Sequence, residues 1–243
     1  TSYGSDLRPR RSLAELVERL CTVTGIDWVR VQYLYPSAAV AELCDLMATE
    51  PKVCRYFDMP LQHIADSLLR SMRRPRRAAT ERLLARIRDR LGDPCLRTTF
   101  IVGYPGETAA EFSELLAFVR ETRFQHVGVF AYSSEAGTPA YRLGDPVPTR
   151  VKTRRRNQLL RVQQGITLAR NQAYVGTVMP VLIDRVCGTI AEGRRAADAP
   201  DVDNCVHVRG ACRQLGKIVP VRITRAAPYD LFGRIEPRLP ACR

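Results

Sequence analysis

Between Trp28 and Tyr132, short apolar runs alternate with segments whose hydrophobic residues recur every three or four positions. In Thr80–Leu91 the residues Leu83, Leu84, Ile87 and Leu91 share one helical face, with Gly92 at the C-terminal stop. In Ala109–Glu121 the residues Phe112, Leu115, Leu116 and Val119 do the same. Strands are predicted at Trp28–Leu34, Arg55–Met59, Arg97–Val102 and Val127–Tyr132. Short apolar strands alternating with amphipathic helices predict an α/β fold with a parallel sheet. About four strands are too few to close a barrel, so the expectation is a partial parallel (β/α) barrel.

Pro146 and Pro148 mark a boundary, and a basic, Gln-rich helical stretch follows from Arg150 to Gln172. Beyond Val175 the period shortens. Strands are predicted at Thr177–Asp184, near Thr189–Arg194, and at Cys205–Val208, Ile218–Thr224 and Tyr229–Ile235, with Val219, Val221 and Ile223 alternating as in a half-buried strand. This tail predicts a small antiparallel β-barrel, OB-like in size. The expected organisation is a partial barrel over 1–149, a basic helical linker over 150–172, a β-barrel over 173–237 and a tail over 238–243.

In a parallel α/β barrel the working residues stand at the C-terminal ends of the strands. The stretch from Leu96 to Thr108 contains one such end: a β-rich run, then Gly103-Tyr104-Pro105-Gly106, then Thr108 and Glu111 at capping-box spacing. A strand running through a glycine-rich turn into a capped helix suits anionic or nucleotide-like ligands. The other ends carry Tyr33 to Pro36, Met59 to His63 and Tyr132 to Thr138. Gly103 and Gly106 either make the turn or admit a ligand close to the backbone. His63 reads as a helix-start or packing residue or as a base, and Gln62 is the better ligand contact. Glu107 either caps the following helix or touches a ligand. No nucleophile and base, and no acid–base pair, is evident. The ends therefore predict a neutral cradle to which something else brings the reactive group.

The formal net charge of +13 is carried mostly by arginine, concentrated in Arg70–Arg90 and in Arg150–Arg170, and the second stretch lacks Asp and Glu. It reads either as a footprint for RNA or a ribosomal surface, or as two solvated helix faces. No apolar run is long enough to cross a membrane and no secretory signal opens the chain. Eight cysteines, at 21, 44, 54, 95, 187, 205, 212 and 242, form no CxxC or CxxxCxxC pattern. They read as reduced thiols of a cytoplasmic protein. Cys205 and Cys212 come nearest to a metal pair, but a gap of six residues without a second pair predicts no metal ligand. The first residue is Thr1, so the chain is expected to begin inside a longer protein, and the open edge of an incomplete barrel is expected to favour self-association.

Several strings carry a family resemblance: "RVQYLYP", "YFDMPLQHIADSLLRSMRR", "RTTFIVGYPGETAAEF", "VGVFAYSSEAGTPAY", and "ADAPDVD" with "VHVRG" and "PYDLFGRI". Together they resemble the radical S-adenosylmethionine methylthiotransferases, on the RimO-like side of the family, over nearly the whole chain. Gln62-His63-Ile64 stands where the tRNA-modifying, MiaB-like members would be expected to carry Gln-Ser-Gly. The resemblance implies an enzyme that places a methylthio group on the β-carbon of an aspartate in the twelfth protein of the small ribosomal subunit. It implies S-adenosylmethionine, cleaved to a 5′-deoxyadenosyl radical, and two 4Fe-4S clusters as cofactors. It implies a TRAM-like tail that recognises the protein substrate, with ribosomal RNA as a further contact and no membrane partner.

The family's CxxxCxxC triad is absent from these 243 residues. The resemblance therefore carries over no catalytic residue and no metal ligand. It carries over cofactor contacts at strand ends only: Gln62, Gly103, Gly106, Tyr132 and Ser133. The chain by itself is expected to be inactive. The alternatives are a MiaB-like tRNA methylthiotransferase and a non-catalytic module that binds RNA or the ribosome.

Overall fold

The computed structural model describes residues 3–4 and 6–236. Contacts group the chain into two compact units, Thr1–Gln163 and Gln164–Arg243. The expected tail from 238 onward, with Cys242, lies outside the described residues.

The first unit opens with helices α1 (Leu13–Cys21) and α2 (Ala38–Thr49). Strand β1 (Tyr56–Asp58), helices α3 (Asp66–Ser71) and α4 (Arg77–Leu91), strand β2 (Cys95–Val102), helix α5 (Ala109–Thr122) and strand β3 (His126–Ala131) follow. The sheet order is β1-β2-β3, with both pairings parallel. The two predicted helices are there, and the predicted capping box is made in full at the start of α5. Thr108 accepts the Glu111 N–H, and Glu111 reaches back to the Thr108 N–H. An identical box, Ser12 with Glu15, opens α1. The core contains Tyr56, Phe57, Phe100 and Phe124, none more than 1% exposed. Phe100 and Phe124 meet edge to face at 6.0 Å.

The predicted strand Trp28–Leu34 is a correction. This segment meets the chain at and just before β1 through separate contacts: Val29 bridges Val53 in parallel, Arg30 lies over the Tyr56 ring, and the Leu34 N–H donates to the Asp58 carbonyl. Between them no ladder forms, and Tyr33 takes a left-handed φ of 57° that ladder geometry excludes. The described sheet therefore has three strands, with this segment as a partial cover on the β1 edge.

The basic stretch forms one helix, α6 (Thr149–Gln172), and the division between units falls inside it. Lys152, Arg155, Leu159 and Gln163 recur at helical spacing and are all buried in the first unit. Part of the arginine excess is paired within the fold as well. In α4, Arg77 pairs with Glu81 and Glu114, and Arg86 and Arg90 pair with Asp45 of α2.

The second unit is a closed barrel of β4 (Val178–Cys187), β5 (Ile190–Arg194), β6 (Val206–Arg209), β7 (Ile218–Ala226) and β8 (Leu231–Ile235), in the order β4-β5-β6-β8-β7. All five predicted strands are present. The pairings are antiparallel except one: β6 and β8 run parallel, so the barrel is mixed where a purely antiparallel one was expected. Alternate residues fill its interior, among them Val181, Ile183, Val206, Val208, Val221 and Leu231. Two glycines let the backbones close. A Cβ on Gly233 would lie 2.6 Å from the Arg222 carbonyl oxygen and 2.5 Å from Val221, and one on Gly193 would lie 2.3 Å from the Leu182 carbonyl oxygen.

Replacing Gly233 with alanine forces a methyl group against backbone that cannot yield. Overpacking of this kind costs about 1–3 kcal/mol. Thermal unfolding of the variant is expected to show a lower midpoint for the barrel, while an unchanged midpoint would mean that β8 has room to shift.

Candidate S-adenosylmethionine cradle

The parallel order brings the ends of all three strands to one edge. After β1 the chain turns through Gln62, whose backbone runs beside Phe100: the Gln62 N–H donates to Thr99 and its carbonyl accepts from Ile101. After β2 comes Gly103. After β3 comes Tyr132, whose N–H donates to the Val102 carbonyl. Gln62, Gly103 and Tyr132 therefore stand together at the carboxyl edge, as the sequence reading expected of residues in those positions. Ser133 is exposed and its hydroxyl donates to Glu135.

The two glycines differ. Both have left-handed backbones, with φ of 74° at Gly103 and 90° at Gly106. A Cβ on Gly103 would sit 2.3 Å from Cγ of Lys152, so this glycine is required by packing against α6. Gly106 is exposed, with nothing within 4 Å of where its Cβ would be. Of the two, Gly106 leaves its backbone open to a ligand. Gln62 also has a positive φ, 71°, rare for a residue with a side chain.

Under the turn lies a buried network. The Glu107 carboxylate has no solvent exposure and accepts from three directions: the Gly103 N–H, Nη1 of Arg155 at 2.7 Å and Nε2 of His63 at 3.3 Å. Nδ1 of His63 accepts the Ala65 N–H at 3.0 Å, at the start of α3. That acceptor role leaves the ring proton on Nε2, which therefore donates to Glu107. His63 starts and packs a helix, and Glu107 holds the turn from inside.

Further buried polar contacts frame the edge. Lys152 donates to the Tyr132 carbonyl at 2.9 Å and pairs with Asp145. Tyr104 meets Tyr132 edge to face at 5.3 Å. Asp58 at the end of β1 takes Nη1 of Arg97 at 2.7 Å and the Tyr33 N–H. Lys152 and Arg155 escaped the sequence reading because they looked like members of a solvated basic face. Their spacing of three and four with Leu159 and Gln163 was the available signal.

Burial pushes the Glu111 carboxyl up, but hydrogen bonds from Ser67 and from the Thr108 N–H and hydroxyl outweigh it and hold the group below its ordinary value. The charged form thus ties α3 to the start of α5.

The thiols do not converge on a cluster. Cys21, Cys44 and Cys95 are buried in α1, α2 and β2, and Cys54 is buried just before β1. Among the described residues no three cysteines come within reach of one shared centre. The described residues do not fit an iron–sulfur cluster.

Residues 3–119 match the model of the radical SAM superfamily, and residues 175–235 match that of the TRAM domain. The sequence is 46% identical to the ribosomal protein uS12 methylthiotransferase RimO of Syntrophotalea carbinolica, over 97% of this chain and 52% of that protein. It is 45% identical to the RimO of Desulforudis audaxviator, over 99% of this chain and 54% of that one. The chain belongs to the RimO-like family of radical S-adenosylmethionine methylthiotransferases. It spans about half the length of the curated relatives it matches. The coproporphyrinogen III oxidase HemN of Escherichia coli, described as a radical SAM enzyme, shares the fold at a TM-score of 0.51. It is 17% identical, and the match covers 64% of this chain and 37% of that one. The RimO-like fold thus consists here of a partial radical SAM barrel and a TRAM barrel.

Glu107→Gln leaves the Arg155 guanidinium buried beside a neutral group. Breaking a buried pair in this way costs about 3–5 kcal/mol. Urea unfolding followed by the fluorescence of Trp28, the sole tryptophan, is expected to show that loss. Adding Arg155→Met to the variant should recover part of it. Equal midpoints for wild type and Glu107→Gln would mean the network contributes nothing to the fold.

Proposed function

We propose that the protein carrying this chain methylthiolates the β-carbon of an aspartate in the ribosomal protein uS12. The supporting observation is the 44–46% identity to proteins named as RimO over nearly all of this chain, across both barrels. The cytoplasm, where ribosomes are assembled, is the compartment this reading requires.

The carboxyl edge of β1, β2 and β3 holds S-adenosylmethionine on this reading. Gln62 and Ser133 offer neutral polar side chains, Tyr132 an aromatic wall and Gly106 an open stretch of backbone. Gly103 contributes by bringing α6 close, with its own N–H committed to Glu107. Bound there, S-adenosylmethionine supplies the hydrogen-abstracting chemistry that an unactivated C–H bond demands. The chain's own residues orient it: the buried Glu107 network keeps the turn at one geometry, and Lys152 fixes the carbonyl of Tyr132. The two 4Fe-4S clusters of the family take their thiolates from outside residues 1–243, and this chain alone is inactive.

The TRAM barrel docks the ribosomal substrate. One of its outer faces carries a hollow of about 620 Å³ lined by Arg209, Arg225, Arg234, His207 and Phe232. The Phe232 ring stacks on His207 at 4.9 Å, and the Arg225 guanidinium lies over it at 3.5 Å. Arginines ordered around an aromatic ring suit ribosomal RNA next to the protein substrate.

Mass spectrometry of uS12 from cells with and without the gene tests the reaction. The aspartate is expected to carry a methylthio group only when the gene is present. An unmodified aspartate together with methylthioadenosine in tRNA would replace this reading with the MiaB-like one. The cradle is tested by Gln62→Gly in the intact protein. Glycine accepts the left-handed backbone, so the variant should fold normally while S-adenosylmethionine binding weakens about tenfold, the worth of one good hydrogen bond. Unchanged affinity by equilibrium dialysis would remove Gln62 from the site.

A further inference from the structure

The parallel pairing of β6 with β8 places Val206 opposite Leu231 and His207 opposite Phe232, so the residues just before them, Cys205 and Asp230, stand side by side. His207 is two residues along from Cys205, on the same face of the chain. Three unlike donor atoms meet there. Sγ of Cys205 lies 3.4 Å from Nε2 of His207 and 3.3 Å from Oδ1 of Asp230. Nε2 of His207 lies 3.8 Å from Oδ2 of Asp230.

We propose that Cys205, His207 and Asp230 bind a divalent cation of the zinc class, at a site separate from the S-adenosylmethionine cradle, with His207 shared with the arginine-lined hollow. A tetrahedral zinc ion with bonds of about 2.3 Å to sulfur and 2.0–2.1 Å to nitrogen and oxygen spans ligand-to-ligand edges of roughly 3.3–3.6 Å. The spacings above fall close to those edges. One thiolate, one imidazole and one carboxylate form a donor set that suits zinc, with a fourth position left for water.

Two more features of the site favour a cation. Glu192 stands on the other side of the imidazole, with Oε1 3.8 Å from Nδ1. A carboxylate behind a ligating histidine orients the ring and raises its basicity. Cys205 and Asp230 also open onto a hollow of about 460 Å³ whose rim includes Asp184, Glu192, Asp201 and Asp203. Arg185 and Arg194 line it too, each paired with an acid of the same rim, Glu192 and Asp184. The carboxylates outnumber these arginines, so the hollow favours positive charge.

The Cys205 thiol donates its proton to the Asp230 carboxylate. Metal binding replaces that proton: the S–H bond breaks, the proton leaves to solvent, and the sulfur–metal bond forms. The Cys205–Cys212 pairing considered from sequence is absent. Cys212 turns away and donates to the Gly188 carbonyl.

Zinc-edge X-ray absorption on the intact protein tests the site, because it is blind to iron and reads donors directly. The expected spectrum shows one sulfur per zinc, with nitrogen and oxygen completing the shell. Cys205→Ser should raise the zinc dissociation constant at least a hundredfold, and Asp230→Asn at least tenfold, while Cys212→Ser leaves it unchanged. A shell of three or four sulfurs would place the zinc on other cysteines and overturn the proposal. Affinity no tighter than millimolar would also overturn it, leaving a hydrogen-bonded cluster only. Should Cys205→Ser fail to fold, the wild-type spectrum and Asp230→Asn decide alone.

Discussion

A carboxylate with no access to water organises the first unit. Glu107 follows directly on the glycine turn, and its desolvation is compensated only if its oxygens stay fully bonded. Three partners meet that demand, each from a different part of the fold: the turn through Gly103, the start of α3 through His63, and α6 through Arg155. The consequence is geometric. A strand end, a helix start and a distant helix are fixed to one point beneath the edge where the proposed ligand contacts gather. Glycines that would otherwise make the turn pliable thus sit on a stiff base, which is the condition for a cradle that positions a reactive ligand.

The parts legible in sequence were those where hydrophobic period and turn chemistry agreed. The five barrel strands are bounded by glycine, proline and asparagine, and alternation is clearest in β7, at Val219, Val221 and Ile223. The helices α4 and α5 have apolar faces, and α5 has a complete capping box. What escaped were elements whose burial is polar. The face that α6 buries in the first unit reads Lys152, Arg155, Leu159, Gln163, and three of those four residues look solvent-loving until their partners are known. The segment before α2 failed for the opposite reason. Trp28–Leu34 has a strand's composition, but the left-handed Tyr33 prevents a continuous ladder. The proposed ligand contacts could be named from sequence as strand-end positions but not distinguished: an invisible neighbour, the stem of Lys152, decides that Gly103 serves packing and Gly106 stays open.

The cluster of Cys205, His207 and Asp230 shows the same limit from the other side. In sequence Cys205 and His207 are two apart and Asp230 is remote, and nothing in spacing joins them. Only the parallel register of β6 and β8 does so. An antiparallel barrel, which the strand pattern suggested, would have put different neighbours beside Cys205.

That parallel register also orders assembly. Of the barrel's five strands, β8 comes last in the chain, and it alone joins β6 to β7. Before it arrives, the strands already synthesised can pair only as an open sheet, β6-β5-β4-β7, with a bare edge at each side. A ribosome translating this protein therefore holds an unfinished sheet, two edges short of a barrel, until the strand that closes both emerges.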